Sequence, residues 1–242
     1  MVEATDGLHS SRLLVDCGLG IRQLELRLAQ AGLACCDLDA IFVTHEHADH
    51  IGSAVTLARK LSIPLWMSHG THVAIGSPDL AGLLRVASDG QTFAVGCLEI
   101  RPFTVPHDAR EPLQLSCGDG LRRLGILTDL GHVSSHVTSH LRGCHALLLE
   151  CNHDRDLLER SSYPAFLKAR VGGRLGHLCN EDAAGLARSL LHDGLGHVVA
   201  AHLSEQNNRP ELARAALAQA LNRDLLDVVA ASASGGSPWF AV

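Results

Sequence analysis

Aromatic residues are scarce: two Trp, one Tyr and five Phe make up 3% of the 242 residues, which leaves few platforms for stacking bases along a single strand. Long apolar runs are also missing. No window approaches the roughly 20 uncharged apolar residues of a membrane helix. The start, MVEATDGLHSS, has neither the basic region nor the apolar stretch of a signal peptide. The chain reads as soluble and cytoplasmic, with no membrane partner. Positive charge is in deficit, 20 Lys and Arg against 26 Asp and Glu for a net charge of −6, so no global attraction draws it to nucleic acid. Any anionic substrate must be gripped locally. The cysteines at 17, 35, 36, 97, 117, 144, 151 and 179 include no CxxC pair. In a long chain without an export signal they point to buried free thiols rather than disulfides. There is no internal repeat, and no Pro, Gly or Ser-rich linker before residues 232–238.

What is present suits a folded domain. Hydrophobic residues make up 46% and charged residues 19%, enough apolar material for a core and too little charge for disorder. The length fits one large domain, residues 1–242. Residues 11–17 (SRLLVDC) read as a strand. Residues 21–31 then place Ile21, Leu24 and Leu28 on one helical stripe that Gly32 stops. Residues 40–44 (AIFVT) form a short apolar strand running straight into HEHADH, and residues 49–61 have helical periodicity before a strand at PLWMS. Residues 92–105 and 113–128 look like strands broken by Gly and Pro, and 146–150 (ALLLE) like a buried strand. Asn180 is expected to cap a helix over 181–192, a strand follows at 197–203, and Pro210 opens a last helix to about Leu221. The strands read as a mostly antiparallel run in two halves, which favours an αββα sandwich, packed sheets with helices outside.

Sixteen histidines are the unusual entry in the composition. The sharpest cluster is His45-Glu46-His47-Ala48-Asp49-His50. In an extended segment side chains two apart point the same way, so His45 and His47 can grip one metal ion. As the chain turns into a helix, Asp49 and His50 can swing toward a second. Packing does not explain four potential ligands in six residues.

THEHADH resembles the HxHxDH signature of the metallo-β-lactamase superfamily. The resemblance covers about residues 11–204 and carries the superfamily's other landmarks in order: Asp16 in LLVDCG, His107 in VPHDA, Asp129 in ILTDLG and His202 in AAHLS. It implies His45, His47 and His107 on one ion, Asp49, His50 and His202 on the other, and Asp129 bridging them, with room left for a shared hydroxide nucleophile. Zn, Mn or Fe would each suit such mixed ligands. Asp16 is expected to orient a ligand rather than bind metal, and Glu46 to point away.

The strings LVDCG, DLDAIFVTHEHADHIGS, ARKLSIPLWMSHGT, TDLGHV, LLLECNHD, GHLCNEDAA and HLSEQNN are similar to the WalJ/YycJ branch of the superfamily. That branch resembles 5′ to 3′ DNA exonucleases. It usually opens with a strand and a GSGSxGN loop, whereas this chain starts where the second strand would. The strand at 11–17 is therefore expected to expose an unpaired outer edge. The narrower resemblance gives His153 and His177 a role at the leaving group or scissile phosphate. Residues 155–174, five basic against two acidic, read equally as a solvated helix face or as a grip on backbone phosphate; on the second reading Arg155, Lys168 and Arg170 are substrate contacts, and Asn180 and Ser204 are further candidates.

The function that follows is a dinuclear metal-dependent phosphodiesterase acting on DNA, an exonuclease by resemblance. Hydrolysis of a small thioester, lactam or other ester by the same centre is the alternative, and a non-catalytic metal-binding scaffold a third reading. The scaffold is disfavoured because all seven ligands are in place. The lactamases proper usually place a thiolate near the position where this chain has Asp129.

Overall fold

The computed structural model describes residues 1–233 and 235–242, which divide into two compact units. Unit 1 comprises Met1–Thr104 and Ala109–Gly120; unit 2 comprises Val105–Asp108 and Leu121–Val242.

Unit 1 begins with β1 (Val2–Thr5) and β2 (Ser10–Val15), then α1 (Ile21–Gln30), β3 (Ala40–Phe42), α2 (Ala48–Ile51), α3 (Ala54–Leu61), β4 (Leu65–Met67), α4 (His69–Ala74) and β5 (Leu84–Val86). These strands lie in the order β1-β2-β3-β4-β5. Only β1 and β2 are antiparallel, with Val2 opposite Leu13; β2, β3, β4 and β5 run parallel. The antiparallel run expected from the sequence is thus corrected. Each of these parallel pairs is joined by a crossover containing a helix, or after β4 by α4 and its loop, and β3 is buried at every position, the pattern of strands covered on both faces. A meander of β6 (Phe93–Val95), β7 (Leu98–Thr104) and β8 (Leu113–Gly118) completes the unit and is antiparallel throughout. Phe93 stacks on Trp66 at 3.6 Å between ring centroids, so three of the few aromatics, with Phe42, pack between β6 and the first sheet.

The expected bare edge at residues 11–17 is also corrected: β1 pairs along it through Thr5↔Ser10. Four residues around a turn at Asp6 and Gly7 are too few for their periodicity to show in the sequence. The single helix expected over 49–61 is two, α2 and α3, broken where Gly52 adopts a φ of 30°.

Unit 2 contains β9 (Arg123–Leu127), α5 (Ser135–Leu141), β10 (Ala146–Glu150), α6 (Arg155–Arg160), α7 (Ala165–Val171), α8 (Asn180–Ser189), β11 (His197–Ala201), α9 (Pro210–Leu221) and β12 (Val229–Ala230). Its strands are all parallel, β9 beside β10, β10 beside β11, β11 beside β12. Pro210 opens α9 as expected, its missing N–H falling where no helical partner exists. Cys179, not Asn180, caps α8, its Sγ accepting from Asp182 N. The cysteines are free, and all but Cys36 and Cys97 are buried. Among the described residues no helix is long and apolar enough to cross a membrane.

Candidate metal centre

In unit 1 the candidate ligands ride the segment between β3 and α2, anchored by one carboxylate. Asp16 closes β2 with a φ of 58°, a left-handed conformation uncommon outside Gly, Asn and Asp. Its Oδ1 accepts from Thr44 N at 2.8 Å and its Oδ2 from His50 Nδ1 at 2.7 Å. An ionised carboxylate only accepts, so the His50 proton sits on Nδ1 and the Nε2 lone pair is left for a metal. Asp16 thus hydrogen-bonds both Thr44 and His50. The Nε2 of His50 lies 3.5 Å from Oδ2 of the exposed Asp49. Thr44 Oγ1 bonds Asp16 and lies 3.0 Å from His45 Nδ1, which turns His45 Nε2 onto His47 Nδ1 at 2.9 Å. Two imidazole nitrogens aimed at one point require a proton or a cation between them. Glu46 faces elsewhere, its Oε1 accepting from Arg110 N at 2.7 Å.

The loop can sit so tightly because of Gly18. A Cβ there would lie 1.8 Å from the Asp49 carbonyl oxygen. Cys17 N donates to His50 O at 2.8 Å, sewing the end of β2 to α2.

Unit 2 gathers His107, Asp129, Glu150, His177 and His202. Asp129 and His202 follow β9 and β11 at φ of 51° and 54°, so three site residues leave parallel strands in the same strained conformation. Asp129 is 2% exposed, and its Oδ1 lies 3.8 Å from His107 Nε2, 3.5 Å from His177 Nδ1 and 3.6 Å from His202 Nδ1. His107 Nδ1 is 3.1 Å from the Gly176 carbonyl, a contact that makes it the donor and leaves the Nε2 lone pair open to a metal. Burial lowers the pKa of His107 against the opposing pull of Asp129, keeping it neutral.

Glu150, at the end of β10, was not expected and organises the unit 2 cluster. It is fully buried. Its Oε1 lies 2.8 Å from His177 Nδ1 and 3.0 Å from His202 Nδ1, while Oε2 accepts from Leu130 N at 2.8 Å and Leu178 N at 3.1 Å. Burial alone would raise its pKa; the bonds from His177 and His202 outweigh that and hold it below the usual carboxylate range. Burial likewise opposes protonation of His177, and Glu150 reverses it, raising that pKa. Asp129, Glu150, His177 and His202 offer ligand atoms within 4.8 Å of one another. The sequence signal was available: a carboxylate ends the apolar run ALLLE as Asp16 ends LLV.

The expected substrate residues divide. His153 and His177 line a cleft in unit 2 with Arg155 and Lys168. Arg155 is committed to Asp182 at 2.9 Å and Glu181 at 3.4 Å, and Arg170 to Asp108 at 2.7 Å. Three of the five cations in 155–174, Arg155, Arg160 and Arg170, are thus ion-paired. Asn180 is 2% exposed and exchanges amide hydrogen bonds with Asn208 at 3.0 and 2.9 Å, so it holds α8 to the 204–208 turn and is not offered to a substrate. Ser204 Oγ accepts from Asn207 N at 3.2 Å within that turn.

Both units therefore present imidazole and carboxylate donors whose far nitrogens are fixed by hydrogen bonds, a set that fits divalent Zn, Mn or Fe. The profile of the beta-lactamase superfamily domain matches residues 11–202. Exodeoxyribonuclease YycJ of Bacillus anthracis is 37% identical over 220 residues, 89% of this chain and 83% of that protein. Exodeoxyribonuclease WalJ of Streptococcus pneumoniae is 35% identical over 207 residues, 84% and 77% of the two chains. Among solved structures, the metallo-β-lactamase fold protein YhfI of Bacillus subtilis superposes with a TM-score of 0.73 at 18% identity, over 98% of this chain and 89% of that one. Zn(2+)-bound PqqB of Methylobacterium extorquens gives 0.69 at 19%, over 95% and 83%. The αββα fold expected from the sequence is the fold found. The chain belongs to the metallo-β-lactamase superfamily, as a hydrolase of that fold related to the YycJ and WalJ exodeoxyribonucleases.

Proposed function

We propose that the chain is a dinuclear metal-dependent phosphodiesterase that degrades DNA as an exonuclease, in the 5′ to 3′ direction that the family resemblance implies. His45, His47 and His107 would hold one divalent ion, Asp49, His50 and His202 the other, and Asp129 both, within a single catalytic domain. Two such ions supply Lewis-acid stabilisation of developing negative charge and a nucleophilic water at neutral pH. The chain's own residues do the rest. Asp16 and Glu150 fix the tautomers of His50 and His202, so that each presents Nε2. Glu150 also holds His177 by Nδ1, leaving its Nε2 to give a proton to a leaving oxygen.

The observation that carries the proposal is this shared carboxylate. One buried group orients both a proposed ligand and a histidine with a raised pKa, and breaking a phosphodiester requires proton delivery to a poor leaving group. The names of the 37% and 35% identical relatives support DNA as the substrate. The test is a panel of substrates under Mn and Zn: DNA labelled at either end, RNA, and small thioesters and lactams. DNA shortened progressively from its 5′ end is expected. Turnover of thioesters or lactams with intact DNA would reject the proposal.

A further inference from the structure

The cleft in unit 2 has a volume of about 360 Å³, within the range of small-molecule sites, and His177 forms part of its wall. His153 is the unexplained group in it. The residue is 3% exposed; its Nδ1 is closed off with no hydrogen-bond partner among the described residues, and its Nε2, also without one, lies toward the cleft wall at Gly172. Buried polar atoms are rarely left so, because the lost hydrogen bonds to water are not replaced. Burial also holds the imidazole toward its neutral form, which carries one donor and one acceptor.

The charges around His153 cancel. Arg155 and Lys168 line the cleft, but so do Glu159 and Asp182. Asp182 accepts from Arg155 through both oxygens at 2.9 Å, and Lys168 Nζ donates to the Glu159 carbonyl. A phosphate would meet two carboxylates of its own sign and cations already engaged. A neutral ligand that both donates and accepts hydrogen bonds would meet partners of every kind.

We infer that this cleft seats the nucleoside portion of a nucleotide substrate, base and sugar, with its phosphate outside, and that His153 is the buried residue that hydrogen-bonds it through Nε2. The choice of a nucleoside among neutral ligands rests on the nuclease reading above. The assignment replaces backbone phosphate as the group that His153, Arg155 and Lys168 would meet. Gly172 offers an independent handle on the same space. A Cβ there would find Leu158 Cδ2 and Lys168 O at 3.5 Å and His153 Nε2 at 3.9 Å, ordinary contacts, so the backbone accepts a side chain at a position that lines the cleft.

The test is calorimetric titration of the metal-loaded protein with thymidine 5′-monophosphate and with methyl phosphate, which share the phosphomonoester and differ in the nucleoside. The first is expected to bind about tenfold more tightly, equal to about 1.4 kcal/mol. His153→Leu and Gly172→Leu should each bring the two affinities to within about twofold, while His153→Gln, which keeps a donor and an acceptor, retains part of the difference. Equal binding by the wild-type protein, or an unchanged ratio in either leucine variant that folds, overturns the inference. End-labelled DNA that stays intact under the same metal rejects the nuclease reading separately, whatever the ratio.

Discussion

Glu150→Gln keeps the volume of a fully buried side chain and changes only which of its atoms accept hydrogen bonds. Four donors now converge on the carboxylate: Leu130 N and Leu178 N on Oε2, His177 Nδ1 and His202 Nδ1 on Oε1. The backbone donors cannot change, so the glutamine oxygen must face them and its NH2 must face the two imidazoles. Both Nδ1 atoms then become acceptors, and the protons move to Nε2. A protonated Nε2 on His202 has no lone pair for a metal, and forcing the old tautomer would instead leave a mispaired buried donor worth about 1–3 kcal/mol. Loss of such an orienting carboxylate typically costs about 10–100-fold in metal affinity or activity. Competition of the metal-loaded variant against a chelator should show that loss, with DNA turnover falling in parallel. Because the pKa of Glu150 is lowered from 4.5 on folding, its contribution to stability is complete above that value and is lost as pH falls through the folded one. Melting temperature should therefore depend less on pH below about 4.5 in the variant. Metal retention and turnover within about twofold of wild type would refute the reasoning.

Asp129→Ala should abolish hydrolysis of every substrate and weaken metal binding by at least about 100-fold, measured by metal analysis after dialysis. Gly18→Ala should cost about 1–3 kcal/mol, read as a lowered melting temperature, because its methyl would overlap the Asp49 carbonyl; an unchanged melt would show that the loop adjusts freely. His153 is buried with a lowered pKa, so the unfolded chain binds the extra proton and stability falls as pH drops below about 6.5. His153→Leu should lose less stability than wild type between pH 7.5 and 5.5, and identical slopes would contradict that.

The candidate ligands of unit 1 were legible in the sequence because they are contiguous. HEHADH carries its geometry in its spacing; in the structure His45 Nε2 meets His47 Nδ1 and His50 Nε2 lies 3.5 Å from Asp49. Asp129, His107 and His202 were legible only through family resemblance, since each stands alone at a strand end. Glu150 escaped because its one signal, an acid closing ALLL as Asp16 closes LLV, carries no ligand spacing; its role exists only through His177 and His202, 27 and 52 residues away. Charge content was misleading over 155–174, where the sequence shows the cations but not that Asp108, Asp182 and Glu181 reach them. Strand direction was misjudged for a related reason. Short apolar runs such as AIF and ALLLE look alike in either orientation, and only the helices between them, which span parallel neighbours, decide the matter.

The most direct test of the account is to strip the protein of metal and titrate Mn or Zn back while following the shortening of DNA labelled at its 3′ end. The account predicts no cleavage without metal, turnover that rises until about two equivalents are bound, and loss from the unlabelled 5′ end. Undiminished cleavage by the metal-free protein, or saturation with a single equivalent, would contradict it.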